Sequence, residues 1–116
     1  MTKNSKTSER RQHTRASRAL KIEHRLYKHK GIAVDGVWQH SMTENMSLVG
    51  ILFQSQIPYQ IGDIIQLRVV MSGILDVFRG FGRVVRTNQI KTSKDFSIAI
   101  TYVDENSKII KADFAV

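Results

Sequence analysis

In "ALKIEHRL", Leu20, Ile22, His24 and Leu26 alternate with Lys21, Glu23 and Arg25, and this period of two constrains the fold more than any other feature of the chain. Residues two apart share a face only in an extended strand, so one side of the segment meets a core and the other meets water. The pattern returns twice. In "IIQLRVVM", Ile65, Leu67, Val69 and Met71 fall on one side, and in "DFSIAITYV", Phe96, Ile98, Ile100 and Tyr102 do the same. "VGILFQS" reads as a short buried strand, and "IAVDGVWQHSMTE" alternates weakly, with Gly36 a candidate bulge or bend. "ILDVFRGFGRVVRT" is a long strand whose Gly80 and Gly82 suggest strong curvature or a close backbone neighbour. Turns are predicted over Lys28 to Gly31, around Pro58 and Gly62–Asp63, and at Ser72–Gly73.

About six strands at regular spacing, with no helix long enough for a crossover, predict an antiparallel barrel or sandwich. Closure into a small barrel would remove the exposed edges. The one helix expected is short and terminal, over "DENSKIIKADF", capped by Asp104 or Asn106. A chain of 116 residues with 41% apolar content has room for one core. The expected organisation is a flexible basic arm over residues 1–17 and a barrel domain over residues 18–116.

The net charge of +8 is not spread evenly. Residues 1–30 hold ten Lys/Arg against Glu9 and Glu23, whereas residues 31–116 hold eight of each sign. The body is therefore neutral, and the cationic excess sits on the arm and the first strand. A nucleic-acid-binding barrel normally carries its basic residues across a face, often with exposed aromatics for base stacking, and neither is evident here. A neutral body with a cationic arm instead suits a segment that grasps an anion, or a solvated tail.

Several chemistries are excluded by composition. Without cysteine there are no disulfides, thiolate metal sites or cysteine nucleophiles, which fits a reducing compartment. No serine lies in a nucleophile elbow and no Gly-rich phosphate loop is present, so an enzyme is not expected. His13, His24, His29 and His40 fall at no metal-ligand spacing. Trp38 reads as a core or rim residue. No apolar run approaches the roughly 18 residues of a membrane helix, and the basic N-terminus lacks the apolar stretch of a secretory signal. The expectation is a cytoplasmic protein with no cofactor.

Two short motifs carry the functional signal. The arm contains "ERRQHTR", which places Arg11 and Arg15 as Arg-x-x-x-Arg, and "ENMSLVG" contains Asn45-x-Ser47-x-x-Gly50. By itself the second reads as a polar turn entering a buried strand, with Asn and Ser bonding nearby backbone and Gly50 permitting a tight bend. A pattern of that kind arises by chance in about one chain in twenty of this length. The arginine pair is weaker still in a basic arm.

Taken together and in this order, the motifs resemble the PilZ domain family over nearly the whole chain. The "ERR" ahead of the arginine motif, the Gly62–Asp63 turn, the "GRVVR" strand and the terminal short helix sit where that family has them. The resemblance implies a six-stranded antiparallel barrel that binds the second messenger cyclic di-GMP and signals through a downstream effector protein. It places Arg11, Arg15, Asn45, Ser47 and Gly50 in the ligand site, with Asn45 standing where the family more often has Asp. Arginine suits such a ligand, because its planar fork pairs with phosphate oxygens or guanine O6 and N7 and stacks on purine faces. Asn45 and Ser47 are expected to meet a guanine edge at the barrel mouth. Arg10 is not assigned. Alternation places Arg83 and Arg86 on opposite faces, so at most one would face the ligand, and neither is assigned either. The alternatives are a PilZ-like adaptor that binds no nucleotide and a nucleic-acid-binding barrel.

Overall fold

All but one of the strands expected from the sequence are found as single strands in a computed structural model that describes residues 15–16, 19–71 and 75–111. The long strands are β2 (Lys21–His29), β4 (Gln39–Ser47), β5 (Gly50–Ser55), β6 (Ile64–Met71), β7 (Leu75–Gln89) and β8 (Phe96–Val103). Two short strands flank them, β1 (Arg15–Ala16) on β4 and β3 (Ile32–Ala33) on β2. All pairings between these strands are antiparallel. The sheet runs β4-β5-β8-β7-β6-β2 and returns to β4, which closes a six-stranded barrel. The closing seam is narrow, pairing Lys21 to His24 with Met42 to Gln39.

The barrel interior is filled by the apolar partners of the alternation. Ile22, Phe53, Ile65, Leu67, Val69, Val84, Ile98 and Tyr102 are fully buried. Phe78 packs against Tyr102 with ring centroids 4.5 Å apart. His24 shares this interior, its ring tilted against Phe53 with centroids 4.8 Å apart. Its ring nitrogens lie 2.7 Å from the Tyr59 hydroxyl and 2.9 Å from the Ser41 hydroxyl. Burial, with a smaller contribution from nearby His40, lowers its pKa from 6.5 to about 4, so His24 is a neutral member of the core.

Three expectations are corrected by packing. The weakly alternating segment after Gly31 is not one strand but β3 and β4, separated by a passage in which Gly36 lies against the Leu26 backbone. A Cβ there would stand 2.5 Å from the Leu26 carbonyl oxygen, so the glycine marks close backbone approach. Asn45 and Ser47 are not in a turn; they end β4, and the turn lies at Leu48–Val49. Residues 104–111 form no helix. The Asp104 carboxylate accepts from the Asn106 and Lys108 amides at 2.9 Å, a local turn that competes with helical pairing. Ile110 N–H then donates to the Tyr102 carbonyl, and Ile109 bridges Val103, tying the segment to β8. The rest of the expected helix, residues 112–114, and the Ser72–Gly73 turn lie outside the described residues.

Candidate ligand-binding site

The outer face around the end of β4 owes its composition to an irregularity. Thr43 pairs with Phe53, but Asn45 pairs with Leu52, so Glu44 is an extra residue in β4. This bulge resets the alternation: Thr43 and Met46, three residues apart, are both buried. Asn45 and Ser47 then fall in the outward phase, half-exposed beside the fully buried strand interior. They stand on the outer wall close to the rim, not inside the barrel mouth.

Ser47 and Gly50 both have work within the turn. The Ser47 Oγ accepts from the Val49 N–H at 3.2 Å and lies 3.5 Å from the Gly50 carbonyl. The Ser47 carbonyl in turn accepts from the Tyr102 hydroxyl at 3.0 Å. Burial pushes that phenol well above its ordinary range, which keeps it a neutral donor. At Gly50 a Cβ would collide with the carbonyl oxygen of Ile100 on β8, so only glycine lets β5 approach β8 here. Asn45 differs: no described residue hydrogen-bonds its side chain, leaving the amide free on an exposed wall.

Of the two motif arginines, Arg11 lies outside the described residues, as does Arg10. Arg15 is described through its backbone, and the register is informative. In the β1–β4 pair Arg15 stands directly opposite Ser47, and Ala16 opposite Met46. Directly paired residues of antiparallel strands have Cα atoms about 4.5–5.5 Å apart. A residue of the basic arm is thereby fixed beside the Asn-x-Ser segment, 32 positions later in the chain.

The same wall continues across three more strands. Asn45 is paired with Leu52, Leu52 with Ala99, and Ala99 with Arg86, which makes one transverse row over β4, β5, β8 and β7. Strict alternation puts Arg83 and Arg86 on opposite faces, but the structure overturns this. The β7–β8 register moves from Val84↔Ile100 directly to Arg86↔Ala99, so Val85 is an added residue. Arg83 opposite Thr101 and Arg86 opposite Ala99 consequently share the outer face. Their surroundings differ: the Arg83 guanidinium donates to the Ser107 carbonyl and holds the C-terminal turn, whereas Arg86 is exposed. Bulges leave no mark that simple alternation can detect, so the shared face of Arg83 and Arg86 is not legible in the sequence. Among the described residues no group of three or more His, Asp or Glu is placed to hold a metal ion.

Comparison with known proteins agrees with this geometry. The family model described as "PilZ domain" matches residues 9–113. The chain belongs to the PilZ domain family. That family consists of cyclic di-GMP-binding receptor and adaptor domains. Among solved structures, the barrel is similar to the Bacillus subtilis inhibitor of motility (MotI/DgrA), at TM-score 0.59 and 15% identity. The match covers 84% of this PilZ domain chain and 42% of the other, so the chain spans about two fifths of that protein's length. At that identity the likeness is one of fold. No curated protein matches the sequence. Among the described residues, no helix of this PilZ domain is long and apolar enough to cross a membrane.

Proposed function

We propose that this PilZ domain is a cytoplasmic cyclic di-GMP receptor, in which Arg11 and Arg15 on the N-terminal arm and Asn45, Ser47 and Gly50 on the barrel wall bind the dinucleotide together. The observation that carries the reading is the pairing of Arg15 with Ser47, which brings the arm to the Asn-x-Ser strand. Residues 31–116 carry no net charge, and the basic arm adds cations suited to a dianion. The free Asn45 amide is suited to the donor edge of a guanine, since its oxygen accepts where N1–H and the exocyclic amine donate. In this reading the arm closes over the ligand and changes the surface presented to an effector protein. Each arm residue that becomes ordered on binding costs about 1–2 kcal/mol in backbone entropy, while each charge-assisted bond returns roughly 1.5–3 kcal/mol. The two nearly cancel, so binding is moderate and reversible, as a messenger sensor requires.

Isothermal titration with cyclic di-GMP tests this, with GTP and cyclic di-AMP as controls. The wild type is expected to bind the guanine dinucleotide selectively. Arg11→Ala or Arg15→Ala is expected to weaken it at least tenfold, about 1.4 kcal/mol, with the melting temperature of the free protein unchanged. A free protein that melts much earlier in either variant would make the arginines structural and end the reading. One observation favours a second reading, that of an adaptor working by protein contact without nucleotide. The Ser47 hydroxyl and Gly50 are already engaged within the turn, which accounts for both without a ligand. Absence of any heat of binding in the same titration would select it.

A further inference from the structure

Arg86 is the one charged side chain of its transverse row, and it faces the free Asn45 amide from the opposite end. Three inter-strand steps of about 4.8 Å separate their backbones by roughly 14 Å along the wall, and less across its curvature. The floor between them is apolar. Leu52 is half-buried, and Ala99, at 8% exposure, has a side chain too small to rise between its neighbours. The bulge at Val85 is what turns Arg86 to this face and also leaves Val85 exposed beside it. No described residue hydrogen-bonds or pairs with the Arg86 guanidinium, in contrast to Arg83 three positions before it. An amide at one end, a flat apolar floor and an unengaged guanidinium at the other suit a planar, acceptor-rich aromatic ligand.

We infer that Arg86 is a third arginine of the ligand site, gripping the second guanine of cyclic di-GMP where it lies over Leu52 and Ala99. The inference rests on the function proposed above and adds to it the residue that recognises the far end of the ligand. Guanine presents O6 and N7 as adjacent acceptors, which the guanidinium fork meets with two parallel bonds. A lysine at this position would supply charge without the fork.

Titration of cyclic di-GMP into the wild type, Arg86→Ala and Arg86→Lys tests the assignment, with the melting temperature of each free protein as a control. The expected result is a loss of about tenfold for Arg86→Ala, with Arg86→Lys recovering less than half of that loss on a logarithmic scale, and unchanged melting in both. Binding by Arg86→Ala within about twofold of a wild type that does bind overturns this inference alone. Full recovery by Arg86→Lys also overturns it, because charge would then suffice. A wild type that binds no cyclic di-GMP removes both this inference and the function it rests on.

Discussion

The two sides of the barrel are built from the same kind of strand yet differ in how many of their polar side chains are engaged. On the outer face of β2, β6 and β7, side chains satisfy one another. Arg68 pairs with Glu23 at 3.0 Å, Arg25 donates to Gln66 at 2.8 Å and lies over the Trp38 ring at 4.9 Å. A depression of about 350 Å³ lined by Trp38, Arg68 and Arg79 lies here, away from the sequence motifs. On the outer face of β4, β5, β8 and β7, Asn45 and Arg86 stand without a described partner. The lesson is that concavity alone does not mark a binding wall. A surface whose hydrogen-bonding groups are already matched gains little from a polar ligand, whereas free groups around an apolar floor can be satisfied only from outside.

The largest expected effect concerns the seam that joins the two sides. His24 on β2 bonds Ser41 on β4 across the closure, and its pKa of about 4 in the fold compares with 6.5 in the unfolded chain. The unfolded chain therefore takes up the proton first. Stability from this group is fully present above pH 6.5 and is lost as the pH falls to about 4, by about 3 kcal/mol in total. Urea unfolding measured across that range checks it. A slope that persists in His24→Gln would assign the effect to another group.

Gly50→Ala comes next, because its methyl group would meet the Ile100 backbone and not a side chain able to move. A loss of about 2 kcal/mol is expected in denaturant unfolding. A neutral result would mean that the contact between β5 and β8 is loose, and the binding wall would then be far more adaptable than its partner. Asn45→Asp sharpens the comparison from the other direction. A carboxylate accepts more strongly from guanine N–H groups than an amide, so cyclic di-GMP affinity should rise by about 1 kcal/mol, read by titration, with little change in melting. Weaker binding would show that the amide N–H, not the oxygen, faces the ligand. The smallest effect belongs to Arg68→Ala on the self-satisfied side. Removing this half-exposed ion pair should cost about 1 kcal/mol or less and leave titration with cyclic di-GMP unchanged. A change in affinity there would break the distinction between the two faces.

Most of the barrel was legible in the residues, because alternation is a local property. Leu20, Ile22 and His24 are buried as their spacing requires, and so are Ile65, Leu67 and Val69. The sequence predicts a helix from Asp104 because Asp caps a turn as readily as it caps a helix, and over residues 104–111 only the pull of Tyr102 and Val103 on Ile110 and Ile109 separates the two. The candidate site was half legible. The residue types at Asn45 and Ser47 marked them as candidates, but the sequence places them in a turn at the mouth, and the bulge at Glu44 puts them on the outer wall.

What the sequence determined by itself is the period, hence the strands, and the division between a cationic arm and a neutral body. What only the tertiary structure decided is which residues share a face across strands. A single added residue at Glu44 or at Val85 reverses the side on which everything beyond it falls, and no local preference announces it. The cross-strand register that sets Arg15 beside Ser47 and Arg86 in line with Asn45 is fixed by the closed sheet as a whole, because each strand must satisfy two neighbours at once.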